Sequence, residues 1–125
     1  MADRSGSNVP ALALIAAGGF TGTIARHALS VWVAAPFPWG TLGANVLGTF
    51  LLGLLLYEHR LADRLSAETR LLLGTGFCSS FTTYSTFAGE TVALSPELAA
   101  LNVAGNYLLG LLAILLGRAV ARWSQ

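Results

Sequence analysis

Charged residues divide this chain into four long apolar runs. A helix needs about 20 mostly apolar residues to cross the hydrocarbon core of a bilayer. The runs cover residues 9–33, 39–57, 71–94 and 98–120, and each is close to that length or beyond it. They predict an all-α integral membrane fold with four transmembrane helices, in one domain over residues 1–125. The links between runs are short. "APFPWG" holds two prolines, which break helix geometry. "EHRLADRLSAETR" is the one charged loop, and in the tight link "SPE" Ser95 is placed to cap the fourth helix. The first residues, MADRSGSN, read as a mobile tail. No secretory signal is expected, because the first run is too long and no small-residue cleavage motif precedes a polar mature domain.

The third run is interrupted by polarity. Its stretch "GFCSSFTTYSTF", residues 76–87, sets six hydroxyl residues (Ser79, Ser80, Thr82, Thr83, Ser85 and Thr86) among Phe77, Phe81 and Phe87. Hydroxyls compete for backbone hydrogen bonds and weaken a regular helix, so the third helix is expected to be broken. Irregular backbone survives at membrane depth only where protein buries it or it lines a cavity. A break frees carbonyl oxygens, which suit a hard cation, and exposes amide and hydroxyl donors, which suit an anion. No Asp or Glu lies inside the stretch, and Glu90 follows it. A path for a transported cation usually includes an acidic group, so the balance tilts toward an anion or a neutral solute. The alternative is an unbroken helix whose hydroxyls bond back to the preceding turn.

Other polar positions sit inside the spans. Asn45 lies several residues into the second, and Asn102 and Asn106 share one face of the fourth. These asparagines either bridge helices or line a watery cavity. Arg26, near the far end of the first span, favours snorkelling toward the interface over a place in a site. Gly18-x-x-x-Gly22 and Ala44-x-x-x-Gly48 present flat strips for close helix contact.

Composition agrees with the pattern. The chain is 54% hydrophobic and 10% charged, against roughly 25% charged in an ordinary soluble domain. Seven arginines, no lysine and six acids leave a net charge of +1, which gives no footprint for a nucleic-acid partner. Cys78 is the one cysteine, so no intrachain disulfide can form. His27 and His59 are isolated, and no nucleophile–base pair suggests an enzyme. With four spans, both termini and the charged loop share one side of the membrane. That side carries Arg4, Arg60, Arg64, Arg70, Arg118 and Arg122, while Arg26 lies toward the other. Positive loops stay cytoplasmic, so a multi-pass cell-membrane protein with cytoplasmic termini is expected.

Three stretches then carry a resemblance. "GGFTGTIAR" (18–26), "GTLGANVLGTFLLG" (40–53) and "GTGFCSSFTTYSTFAGE" (74–90) resemble the signature blocks of the Fluc-type (CrcB) fluoride channels, in the right order and on the right spans. The resemblance implies an antiparallel dimer with two narrow pathways that export fluoride down its gradient. It also implies a structural, untransported sodium ion at the dimer centre, held by the backbone carbonyls of Ser79 and Thr82. Asn45 matches the pore asparagine of the family. Tyr84 and Phe87 stand where the family has two phenylalanines whose positive ring edges meet the ion. Thr83, Ser85 and Thr86 are further donors, with Arg26, Asn102 and Asn106 in support. Two positions depart from the pattern: Ser79 stands for a glycine and Tyr84 for a phenylalanine. The fourth helix runs on past Tyr107 as "LLGLLAILLG", without the hydroxyls that related channels often place there.

A homodimer of opposed subunits needs one chain to insert both ways, and the six-to-one arginine bias argues for a fixed orientation. The second subunit is therefore expected to be an oppositely oriented paralogue, with a homodimer as the alternative. Two other functions fit less well. A small four-helix multidrug/proton antiporter needs a carboxylate in its first span; residues 9–33 hold none, and Glu58 lies at the end of a span. A non-transporting assembly subunit would use the glycines for packing but leaves the hydroxyl and aromatic cluster unexplained.

Overall fold

The computed structural model describes residues 8–33, 35–57 and 64–123. The tail before Asn8 with Arg4, and Glu58, His59 and Arg60, lie outside the described residues. In chain order the elements are α1 (Val9–Trp32), α2 (Trp39–Tyr57), α3 (Ala67–Arg70), a π-helical stretch (Leu71–Cys78), α4 (Ser79–Phe81), α5 (Tyr84–Ala93) and α6 (Pro96–Trp123). Helices α1, α2 and α6 are each long and apolar enough to cross a membrane. The remaining crossing is assembled from the shorter pieces, so the fold is all-α with a broken third span.

The boundaries follow local chemistry. Helix α1 closes with the Val33 N–H on the Leu29 carbonyl at 3.1 Å. Pro36 and Pro38 follow, without the N–H groups that would continue a helix. Helix α6 starts two residues before the expected 98, because proline is tolerated where the N–H would be unpaired anyway. Ser95 caps it as expected: its Oγ accepts from Leu98 N at 3.5 Å and its carbonyl from Ala99 N at 2.8 Å. The π-helical stretch is a feature that the pattern of apolar residues did not predict.

Close backbone contacts order the bundle. A Cβ built on Gly18 would strike the Leu72 carbonyl, and one on Gly22 the Phe77 carbonyl. Similarly, a Cβ on Gly53 would meet Ile114 O at 2.5 Å, and one on Gly117 would strike Phe50 O. The first two pairings show α1 running parallel to the third span, and a Cβ on Gly105 would touch Leu42 at 3.6 Å, which with Gly53 against Ile114 shows α2 parallel to α6. No described glycine has positive φ. These glycines therefore serve approach rather than a turn, which is the packing role expected of Gly18 and Gly22. Ala44, in the matching strip of α2, is completely buried. Gly18→Val is expected to cost about 1–3 kcal/mol by overpacking, seen as a lower unfolding midpoint in detergent. Gly110→Ala is the control, since nothing lies within 4 Å of its Cβ position; equal midpoints for the two would contradict the packing account.

The distribution of side chains is that of a membrane protein. Asn102 and Thr41 are among the most deeply buried residues, while Leu12, Phe20, Val92 and Leu108 face outward. Lipid tails accept apolar side chains, and polar bridges inside hold the helices together. Trp32 and Trp39 are exposed at one end of the bundle and Trp123 at the other, as in an interfacial aromatic belt.

Candidate functional site

The break in the third span is two residues of extended backbone. Thr82 has φ −80° and ψ 153°, and Thr83 has φ −150° and ψ 128°. The helix stops cleanly before them: Thr82 N donates to the Cys78 carbonyl at 3.1 Å, and Thr82 Oγ1 donates to the same oxygen at 3.0 Å. It restarts with Thr83 as cap, whose Oγ1 accepts from Thr86 N at 3.2 Å. A hydroxyl residue on each side of the break thus replaces the helical ladder, which is why this sequence opens here.

Asn45 of α2 holds the break apart. Its Oδ1 accepts from Thr83 N at 2.8 Å, and its Nδ2 donates to the Thr83 carbonyl at 3.2 Å and to Asn106 Oδ1 at 2.8 Å. In a continuous helix the Thr83 N–H would go to the Ser79 carbonyl. Here Asn45 takes it, and the Thr86 N–H that would reach the Thr82 carbonyl is taken by Thr83 Oγ1. The carbonyls of Ser79 and Thr82 are thereby released from the ladder. Ser79 itself has φ −67° and ψ −27°, ordinary right-handed angles open to any residue, so this position makes no demand for glycine. Its hydroxyl bonds back to the carbonyls of Thr75 and Gly76.

Arg26 departs from the snorkelling expected of it. Its Nε donates to the Ser80 carbonyl at 3.2 Å and its Nη1 to Thr86 Oγ1 at 3.4 Å. The break removes the helical partner of the Ser80 carbonyl, and a guanidinium donates readily to such an oxygen. Arg26 therefore turns inward and ties the two sides of the break together. It brings a full positive charge with it.

In front of the break lies a cavity of about 550 Å³, whose lining includes Asn45, Ser79, Thr82, Thr83, Phe87 and Tyr107. Phe87 is 6% exposed. It stands edge to face with Tyr107, centroids 6.3 Å apart at 78°, and tilted to Tyr84 at 5.7 Å and 55°. Among the described residues no three His, Cys, Asp or Glu side chains gather. A cation at the break would have to be met by carbonyl and hydroxyl oxygens. An anion would find ring edges, hydroxyls and the nearby guanidinium.

Residues 13–118 match the family model described as CrcB-like protein, Camphor Resistance (CrcB). The chain belongs to this family. It is 57% identical over 113 residues to the Fluoride-specific ion channel FluC 1 of Natronomonas pharaonis, covering 90% of this chain and 95% of that one. It is 48% identical over 114 residues to the FluC 1 of Haloarcula marismortui, covering 91% and 87%. The FluC of Methanopyrus kandleri is 46% identical over 120 residues, covering 90% and 92%. These relatives are named as ion channels, and nothing in their names describes an enzyme.

In this CrcB-family chain the fold gathers most of the residues singled out in the sequence. Ser79, Thr82, Thr83, Tyr84, Phe87, Asn45 and Asn106 all line this cavity. Ser85 and Thr86 stand beside it, joined to the Thr83 hydroxyl at 3.5 and 3.1 Å. Asn102 is completely buried behind it, and both Asn102 and Asn106 make the interhelical bonds open to them. Tyr107, not among the site residues expected from the sequence, also lines the cavity, and its only signal is an aromatic ring next to Asn106. Thr41 and Glu90 were also passed over as a pair. Thr41 Oγ1 donates to Glu90 Oε1 at 2.9 Å, leaving Glu90 Oε2 buried with no partner among the described residues.

Proposed function

We propose that this chain is one subunit of a channel that passes fluoride out of the cytoplasm down its gradient. The observation that carries this reading is the held-open break, with Phe87 lining the cavity in front of it and Arg26 bonded across it. Fluoride is small and strongly hydrated, so a narrow path must replace its water with donors and positive edges. Phe87 supplies a ring edge, and Ser85 and Thr86 supply hydroxyl donors, while the Thr83 hydroxyl, which donates to Thr86 Oγ1, would have to give up that bond first. Asn45 already gives both its N–H bonds, to Thr83 and Asn106. Its first role is therefore to hold the break, and an ion would receive an amide hydrogen only by displacing one of those acceptors. Tyr84, 72% exposed, is free to face a second subunit.

The carbonyls of Ser79 and Thr82 fit a hard monovalent cation, because unwound backbone oxygens at membrane depth suit sodium. A structural sodium ion held by them and by a second subunit would add positive potential beside the anion path. The relatives named fluoride-specific ion channels support the choice of ion. In cells lacking a fluoride exporter, expression of the chain is expected to restore growth in fluoride. Absence of rescue, alone and with an oppositely oriented relative, while the chain is present in the membrane fraction, would contradict the reading.

The second subunit is antiparallel and, on the arginine bias, a separate paralogue. The parallel pairing of α2 with α6 puts Arg64, Arg70, Arg118 and Arg122 at one end of the bundle, which is the cytoplasmic end. Reporters active only in the cytoplasm or only in the periplasm, fused to the C-terminus, are expected to give activity from the cytoplasmic fusion alone. Activity from both in cells expressing this chain alone would point to the homodimer.

A further inference from the structure

Behind the cavity, the polar side chains form one continuous hydrogen-bonded chain whose direction is set from both ends. Thr91 Oγ1 donates to the Phe87 carbonyl at 2.6 Å. A carbonyl only accepts, so the hydroxyl proton is committed there and Thr91 Oγ1 is left to accept from Asn102 Nδ2, at 2.9 Å. That turns Asn102 Oδ1 toward Asn106, whose Nδ2 donates to it at 3.0 Å and to the Asn102 carbonyl at 2.9 Å. Asn106 Oδ1 then accepts from Asn45 Nδ2 at 2.8 Å. At the other end the Thr83 backbone imposes the same orientation on Asn45, through its N–H on Oδ1 and its carbonyl on Nδ2. Asn102 is completely buried, so its groups have no water to fall back on. A reversed amide anywhere along the line would set donor against donor.

We propose that Thr91 and Asn102 are positioning residues for the break. They hold Asn45 against Thr83 by way of Asn106, although neither lines the cavity. Thr91 acts from eight residues along the chain, roughly 12 Å at the helical rise per residue. The inference rests on the channel reading for its effect on transport, but not for the existence of the relay. If the asparagines were simple interhelical bridges, each would add a little stability of its own and leave the Asn45 amide indifferent to Thr91.

The test compares Thr91→Val, which keeps the shape and removes the hydroxyl, with Thr91→Ser, which keeps the hydroxyl. The first readout is hydrogen exchange of the Asn45 side-chain amide, followed by NMR in the full chain labelled with 15N-asparagine. Exchange is expected to quicken at least tenfold in Thr91→Val and to stay within twofold of the unmutated chain in Thr91→Ser. Fluoride efflux from liposomes is expected to fall about tenfold in the first, with weakened preference over chloride, and to be retained in the second. An Asn45 amide unmoved by Thr91→Val, or a serine variant as impaired as the valine one, overturns the proposal. The unmutated chain supplies a check that needs no variant to fold: the amides of Asn45 and Asn102 are expected to exchange at similar rates. Asn45 exchanging more than tenfold faster than Asn102 overturns the relay. Exchange involves no fluoride, so it decides the relay independently of the channel reading.

Discussion

Replacing Asn45 with leucine is expected to lower fluoride efflux a hundredfold or more while the chain still inserts and assembles. Leucine has a similar volume but neither accepts nor donates. It strands the Thr83 N–H, the Thr83 carbonyl and Asn106 Oδ1, three groups that Asn45 satisfies. Leaving a buried polar group unpaired costs about 1–3 kcal/mol, and each 1.4 kcal/mol is roughly a factor of ten. The stranded Thr83 N–H has an obvious alternative, the Ser79 carbonyl one helical turn back, and taking it would close the break. Asn45→Asp is expected to fail in the same direction, since it loses the amide donor and adds a negative charge at membrane depth. Efflux within threefold of the unmutated chain, from leucine variants that elute and unfold normally, would remove Asn45 from its central place.

Phe87→Ile carries the second largest expected effect, a loss of at least tenfold in efflux. The ring is buried and meets Tyr107 edge to face. Isoleucine keeps the site apolar but has no positive edge to offer an anion. Tyr84→Phe is the informative contrast. Its ring is exposed and its hydroxyl has no partner among the described residues, so removing the oxygen is expected to leave efflux within twofold. Parallel efflux measurements on both variants decide the matter. If Tyr84→Phe collapsed transport and Phe87→Ile did not, a phenolic donor rather than a ring edge would face the ion.

Much of this site was legible in the sequence, for physical reasons that can be named. Apolar runs between charges are long enough to be spans, and they predicted α1 and α2 to within a residue or so. The hydroxyls of "SSFTT" located the break, because side chains that bond locally are the ones that can end one helix and cap the next. Serine at position 79 departs from the family pattern, and its ordinary backbone angles place no strain on that exchange. What escaped was tertiary. The π-helical stretch from Leu71 to Cys78 lies in close backbone contact with α1, and no local pattern reports that contact. Arg26 looked like an interfacial residue until the break supplied it with an unpaired carbonyl from a residue 54 positions away. The Thr91 hydroxyl resembles any back-bonding threonine until Asn102 is seen to lean on it.

The most direct test of the central claim is anion efflux from liposomes loaded with equal fluoride and chloride, followed with electrodes selective for each ion. The purified chain is reconstituted alone and together with an oppositely oriented relative. Rapid fluoride release, with chloride retained, is expected in at least one reconstitution. Retention of fluoride in both, or release of chloride at a rate comparable to fluoride, would contradict that claim.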